Sequence, residues 1–144
     1  MSEVRKIVFA RLSEGDDLLE SIASVARKSD VNSGFFFLIG TLKEAMLGYY
    51  KQGKYVPIEK KGPLEIVSCT GNISADEMKR LVVHGHIVVS DDKADCFGGH
   101  VLPGCTIDAT GELTLAAAQD GILKRRLDPR RNLHLWNLEE SDKI

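Results

Sequence analysis

The chain of 144 residues has no apolar run approaching the roughly 20 residues of a membrane span. It has only three cysteines, Cys69, Cys96 and Cys105, an odd number with no Cys-x-x-Cys spacing. That excludes a secreted disulfide framework and fits reduced, mostly buried thiols in the cytoplasm. Charge of one sign is also missing. A net charge of -2 excludes a surface that coats nucleic acid all over. The opening segment, MSEVRKIVFARL, lacks the apolar core and small-residue cleavage site of a signal peptide and runs straight into a strand pattern. There is no Gly-x-Ser-x-Gly elbow, no phosphate loop, no internal repeat and no linker. What remains is an ordinary globular composition, 43% hydrophobic and 28% charged. It is long enough for one domain over 1–144 to bury a core without cross-links.

Patterning predicts an α+β domain, mostly antiparallel sheet with one main helix packed on it. Val4–Leu12 alternates and is rich in β-formers, so it reads as a strand. Asp16 or Asp17 can cap a helix over about 16–28, because Leu18, Leu19, Ile22, Val25 and Ala26 share one helical face. The unbroken run Phe35–Ile39 predicts a strand covered on both sides, with Gly40 a bend or bulge and Thr41–Tyr50 continuing it. After Lys51-Gln52-Gly53 the chain turns into Lys54–Glu59. Gly62-Pro63 separates that piece from Leu64–Ile73. Ser74 and Glu77 have capping-box spacing, with room for one turn of helix or a loop. Further strands follow at 81–101, Cys105–Ala109, Leu113–Ala118 after a turn at Thr110-Gly111, and Ile122–Leu127. Leu133, Leu135 and Trp136 pack somewhere, and residues from about 139 fray.

The chemistry concentrates in Leu81–Val101, which holds three of the four histidines. Residues two apart on a strand point to one face, so His84 and His86 project together, about 7 Å apart at Cα. The polar turn Ser90–Asp95 joins their strand to one carrying His100. A three-residue turn centred on Asp92 or on Lys93 sets His100 across from His84 or His86 respectively, and all three rings then face one point. A two-residue turn sends His100 to the opposite face. The turn lacks Asn-Gly or Asp-Gly, which favours convergence. Three imidazoles suit Zn²⁺ or another first-row metal. They leave a fourth position for water, a substrate carboxylate or a group from a neighbouring subunit. The plainer alternative is a polar groove in which the histidines hydrogen-bond to neighbours. Cys96 and Cys105 read as small buried hydrophobes, His134 as a surface or interface residue, and Asp91, Asp92 and Asp95 as a solvated turn. Glu65 and Asp108 are the available catalytic carboxylates, and no spacing selects either.

A second cluster, Lys124, Arg125, Arg126, Arg130 and Arg131, could contact phosphates. The competing expectation is a solvated strand end whose arginines pair with carboxylates, since no aromatic platform is interleaved.

Several pieces in this order resemble the stand-alone prokaryotic members of the plants and prokaryotes conserved (PPC) domain family. They are Gly15-Asp16-Asp17-Leu18-Leu19-Glu20, Ser33-Gly34, Ile39-Gly40-Thr41-Leu42, Leu47-Gly48-Tyr49-Tyr50, Leu64-Glu65-Ile66 with Gly71-Asn72-Ile73, His84-Gly85-His86, Phe97-Gly98-Gly99-His100-Val101 and Gly104-Cys105. The resemblance implies a compact α+β domain that assembles as a homotrimer. In plants the domain follows an Arg-Gly-Arg-Pro segment that enters the DNA minor groove, and it supports trimerisation and contacts with nuclear proteins. This chain has no Arg-Gly-Arg-Pro, and it has Gly62-Pro63-Leu64-Glu65-Ile66-Val67 where the plant domain has Gly-Arg-Phe-Glu-Ile-Leu. Three functions are therefore expected. The first is a cytoplasmic trimer binding metal or a small ligand through His84, His86 and His100. The second is a DNA-associated or regulatory protein using 124–131, with DNA or a regulatory protein as partner. The third is a zinc-dependent hydrolase or lyase at the same histidines.

Overall fold

The structure, a computed structural model, describes residues 3–119 and 123–137. Among them are eight strands and one helix: β1 (Val4–Leu12), α1 (Leu18–Lys28), β2 (Gly34–Lys51), β3 (Lys54–Ala75), β4 (Leu81–Ser90), β5 (Cys96–Val101), β6 (Thr106–Ala118), β7 (Arg125–Asp128) and β8 (Leu133–Trp136). The residues expected to fray lie outside the described ones, as does the start of the strand expected at Ile122.

All named pairings are antiparallel. The main sheet has the order β1-β6-β2-β3-β4-β5. One edge of β2 faces β3 along its whole length. Its other edge faces β6 over the first part and then β5 at Leu47↔Val101 and Gly48↔His100. Strands β2, β3, β4 and β5 therefore close into a ring, and this places His100 beside β2. The hairpin β7–β8 forms a separate two-stranded sheet, joined to the end of β3 by a bridge between Ala75 and Lys124.

The helix forms where its pattern predicts. Asp17 is the N-cap, its Oδ1 accepting from the Glu20 N–H at 3.0 Å, while Oδ2 accepts from the Gly104 N–H at 2.8 Å. One residue thus ends the loop and ties α1 to the approach to β6. Leu18, Ile22, Ala23 and Ala26 bury one face of the helix against the sheet. The core is completed by Phe36, Leu38, Leu42, Leu64, Ile73, Ile87, Ile107, Leu113 and Leu115, all at most 2% exposed.

Three expectations need correction. Gly62-Pro63 lies inside β3, which runs unbroken to Ala75 and takes up the irregularity as a register shift opposite Leu42/Glu44. Thr110-Gly111 is not a turn: β6 is continuous, and Gly111 sits across from Gly40 on β2. A Cβ on Gly40 (φ +146°) would lie 2.1 Å from the Thr110 carbonyl oxygen, so these glycines mark close strand crossing. Finally, Phe35–Ile39 is covered on one face only. Phe36 and Leu38 are buried, whereas Phe35, Phe37 and Ile39 are about half exposed. The segment from Asp76 is a loop, in which the Asp76 Oδ1 accepts from the Met78 and Arg80 N–H groups.

Candidate metal centre

The turn between β4 and β5 decides where His100 goes. Ser90 pairs with Cys96, and the Asp91 N–H donates to the Asp95 carbonyl at 3.1 Å. Asp92, Lys93 and Ala94 are left as a three-residue loop. The Ala94 N–H bonds back to the Asp91 carbonyl, and Ala94 takes the left-handed conformation (φ 64°) that such loops need. The Asp91 Oδ1 accepts from the Lys93 and Asp95 N–H groups, so the Asp91 carboxylate folds onto its own turn. The turn is centred on Lys93, and His86 faces His100 directly.

The glycine between His84 and His86 has its own cause. Gly85 lies on the core face of β4, across from Gly71 on β3, and the Phe36 ring packs beneath both. A Cβ on Gly71 would come within 2.5 Å of that ring, and one on Gly85 within 3.0 Å. Bulk at Phe36 presses the glycines flat against the core, and the same pleat turns His84 and His86 outward. Gly99 is held close on the other side, where a Cβ would lie 3.1 Å from the Gly48 carbonyl oxygen.

The three imidazoles converge. Ring centroids are 5.3 Å apart for His84 and His86, 4.9 Å for His84 and His100, and 5.4 Å for His86 and His100. One potential ligand atom from each lies within 4.8 Å of the others. The Tyr55 ring stacks on His100 at 4.2 Å and 12°, fixing its plane. His100 Nδ1 is buried with no hydrogen-bond partner among the described residues. In the tautomer that puts the ring proton on Nε2, the Nδ1 lone pair is what a cation would satisfy. Burial, with the Arg125 charge and the neighbouring imidazoles, pushes His84 down to about 4. Burial, then His86 and Arg125, does the same to His100. Both are therefore neutral near pH 7, the form that binds metal. Nitrogens around a tetrahedral zinc stand about 3.3 Å apart, so small side-chain rotations would close the set. The donors fit a first-row divalent ion.

Arg125 was not visible as part of this site. It is 7% exposed, whereas the other four cations of its cluster are exposed. Its Nη2 donates to Asn72 Oδ1 at 2.8 Å and to His84 Nδ1 at 3.1 Å. Since a guanidinium only donates, His84 Nδ1 accepts, and the ring proton in this arrangement is on Nε2. Coordination through Nε2 would move that proton to Nδ1 and end the Arg125 bond. Arg126, Arg130 and Arg131 are exposed. Arg131 pairs with Asp128 at 2.7 Å, Arg130 with the same carboxylate at 3.9 Å, and Arg126 with Glu77 at 4.0 Å. Lys124 is exposed too. The five cations expected to act together are thus divided four to one.

The β7–β8 hairpin lies over His84 and His100 and leaves His86 exposed. It is held by the Tyr50 hydroxyl donating to the Arg131 carbonyl and by Asn132 Nδ2 donating to the Gly53 carbonyl at 3.0 Å. Between the hairpin and the sheet lies a pocket of about 450 Å³ reached by His84, His100, Arg125 and Tyr55. His134 is exposed and borders it, and its backbone carbonyl accepts from Arg125 Nη1 at 2.7 Å. Neither Glu65 nor Asp108 reaches the pocket. Cys69 and Cys105 are buried, with thiols pushed up by burial to about 12 and about 11. Cys96, expected to be buried, is exposed, because it shares the outward parity of His100 on β5.

The comparisons with known proteins agree with this fold. A metal-containing protein of Archaeoglobus fulgidus superposes with a TM-score of 0.87 at 28% identity, covering 96% of this chain and 97% of that one. A plant- and prokaryote-conserved protein of Pyrococcus horikoshii gives 0.88 at 27%, covering 97% and 96%. A candidate DNA-binding protein of Ralstonia eutropha JMP134 gives 0.78 at 27%, covering 91% and 90%. In sequence, the chain is 33% identical over 126 residues to the bifunctional protein GlmU of Synechococcus sp. (strain JA-2-3B'a(2-13)), matching 86% of this chain and 19% of that protein. It thus spans about a fifth of that relative's length. Residues 1–119 match the model of the Plants and Prokaryotes Conserved domain, and the chain belongs to that family.

Proposed function

We propose that His84, His86 and His100 hold a divalent metal ion, zinc first, and that the chain works as a homotrimeric binding protein of the cytoplasm. The observation carrying the metal reading is the convergence of three imidazoles from two strands, with His84 and His100 held neutral by burial and His100 Nδ1 left without a partner among the described residues. The similar Archaeoglobus protein is described as metal-containing, which supports it. Three protein ligands leave an open coordination position, the arrangement a Lewis-acid zinc uses. No carboxylate general base reaches the pocket among the described residues, so binding is favoured over a hydrolase or lyase.

Self-assembly is supported by an apolar outer face. Ile7, Phe9, Phe35, Phe37 and Ile39 are each at least 45% exposed on β1 and β2, the two strands that flank β6. Light scattering at micromolar concentration should give three chains per particle, and a monomer would contradict the trimer. Metal analysis of protein purified without a nickel column tests the site. One zinc per chain, lost in the triple His→Ala variant, is expected. No metal in a correctly folded protein would end this reading.

The second reading is DNA association through Lys124, Arg126, Arg130 and Arg131, which are exposed on or beside β7. The Ralstonia relative, described as a candidate DNA-binding protein, supports it. It requires duplex binding at moderate salt that weakens when these cations become Ala. Absence of such binding removes it.

A further inference from the structure

Ser33, Ser74 and Arg125 are the buried polar side chains among the described residues, and Arg125 alone of them is charged. A guanidinium keeps its proton, so burying it requires compensation. Its partners are all neutral: Ser74 Oγ on Nε at 2.7 Å, the His134 carbonyl on Nη1, and Asn72 Oδ1 and His84 Nδ1 on Nη2. It belongs to none of the nine ion pairs among the described residues. Arg131, six positions on, is exposed and yet paired with Asp128. Four of the five guanidinium N–H groups are used, which leaves one on Nη1.

The adjoining pocket repeats the imbalance. Arg125 and Lys54 reach it, and no Asp or Glu among the described residues does. Val82, Val83, Leu133 and Leu135 give it an apolar stretch beside the histidines and tyrosines of the site. A cationic floor with an apolar stretch beside it selects an anion with a hydrocarbon body over a fully hydrated inorganic one. We propose that this pocket binds a small organic carboxylate, with its carboxylate on Arg125 and its body along the valine and leucine wall. The inference deepens the small-ligand side of the reading above, and it rests on Arg125 rather than on the metal.

The test titrates the whole chain with benzoate by calorimetry, in EDTA-treated and in zinc-loaded preparations. Benzamide serves as the neutral isostere, and inorganic phosphate as the bare anion. Benzoate should bind saturably, with benzamide at least about tenfold weaker, the loss expected for one charge-assisted contact. Phosphate should be weaker than benzoate. Arg125→Met should weaken benzoate by at least about tenfold, with Arg125→Lys between it and the wild type. Should Arg125→Met fail to fold, the benzoate–benzamide comparison on the wild type still decides. No saturable benzoate binding at millimolar concentration in either preparation, equal binding of benzamide, or binding of phosphate in preference to benzoate would each overturn the proposal. Benzoate binding intact in a chain that retains no zinc would support it while ending the metal reading.

Discussion

The two faces of β4 share one backbone and serve opposite ends. Inward, Gly85, Ile87 and Val89 are buried, Gly85 against the Phe36 ring and the other two within the apolar core. Outward, His84 and His86 meet His100 in a cluster that has, among the described residues, an unpartnered nitrogen and an arginine without an acid partner. The inner face obeys every packing rule; the outer face breaks two of them, on burying cations and on satisfying polar atoms. Local rules that fail together at one place mark a site, since folding gains nothing from them. The comparison predicts that inner-face changes act on stability and outer-face changes on binding.

The largest effect should come from Phe36→Ala. It empties the space under both glycines and should cost about 3–5 kcal/mol in chemical denaturation, enough to threaten the fold. Gly71→Ala comes next. Its Cβ would lie 2.1 Å from the His84 carbonyl oxygen, so the strands must part, at about 1–3 kcal/mol. A Gly71→Ala protein as stable as the wild type would show that the two faces are not welded as described.

The triple variant His84→Ala, His86→Ala, His100→Ala inverts the pattern. It should cost the metal-free protein less than Phe36→Ala does, about 1–3 kcal/mol for the lost Arg125 bond and the Tyr55 stacking, while removing metal retention entirely. Acid provides a graded version. His84 and His100 stand at about 4 in the folded chain, against about 6.5 unfolded. Between these values the unfolded chain takes up protons that the folded chain refuses, so stability falls as pH drops from about 6.5 towards 4. Above 6.5 these groups contribute no slope. The urea midpoint of EDTA-treated protein should therefore be lower at pH 5.0 than at pH 7.5, with a smaller difference in the triple variant. Smallest of all, Arg131→Ala should cost at most about 1 kcal/mol, because its ion pair is exposed.

Much of the inner face was legible in the sequence, because alternation and turn chemistry act locally. The β1 bounds, a cap at Asp16 or Asp17 and a histidine-hairpin turn that favours three residues over two are read from neighbouring residues, and the structure has Asp17 and three. The misreadings were glycines and a proline taken as punctuation. Gly111 and Gly40 look like turn residues but serve a strand crossing, a non-local fact. Cys96 carried a usable signal, since the parity that turns His100 outward does the same four residues earlier. Arg125 carried none. Among like charges in a strand of four residues, only the docking of the hairpin through Lys124 and Asn132 decides which one is buried.

The most direct test is a crystal of zinc-loaded protein measured with anomalous scattering at the zinc edge. One peak should lie about 2.0–2.1 Å from an imidazole nitrogen of each of His84, His86 and His100. A zinc-loaded crystal with no peak there, or with His100 turned away from the other two, would contradict the account.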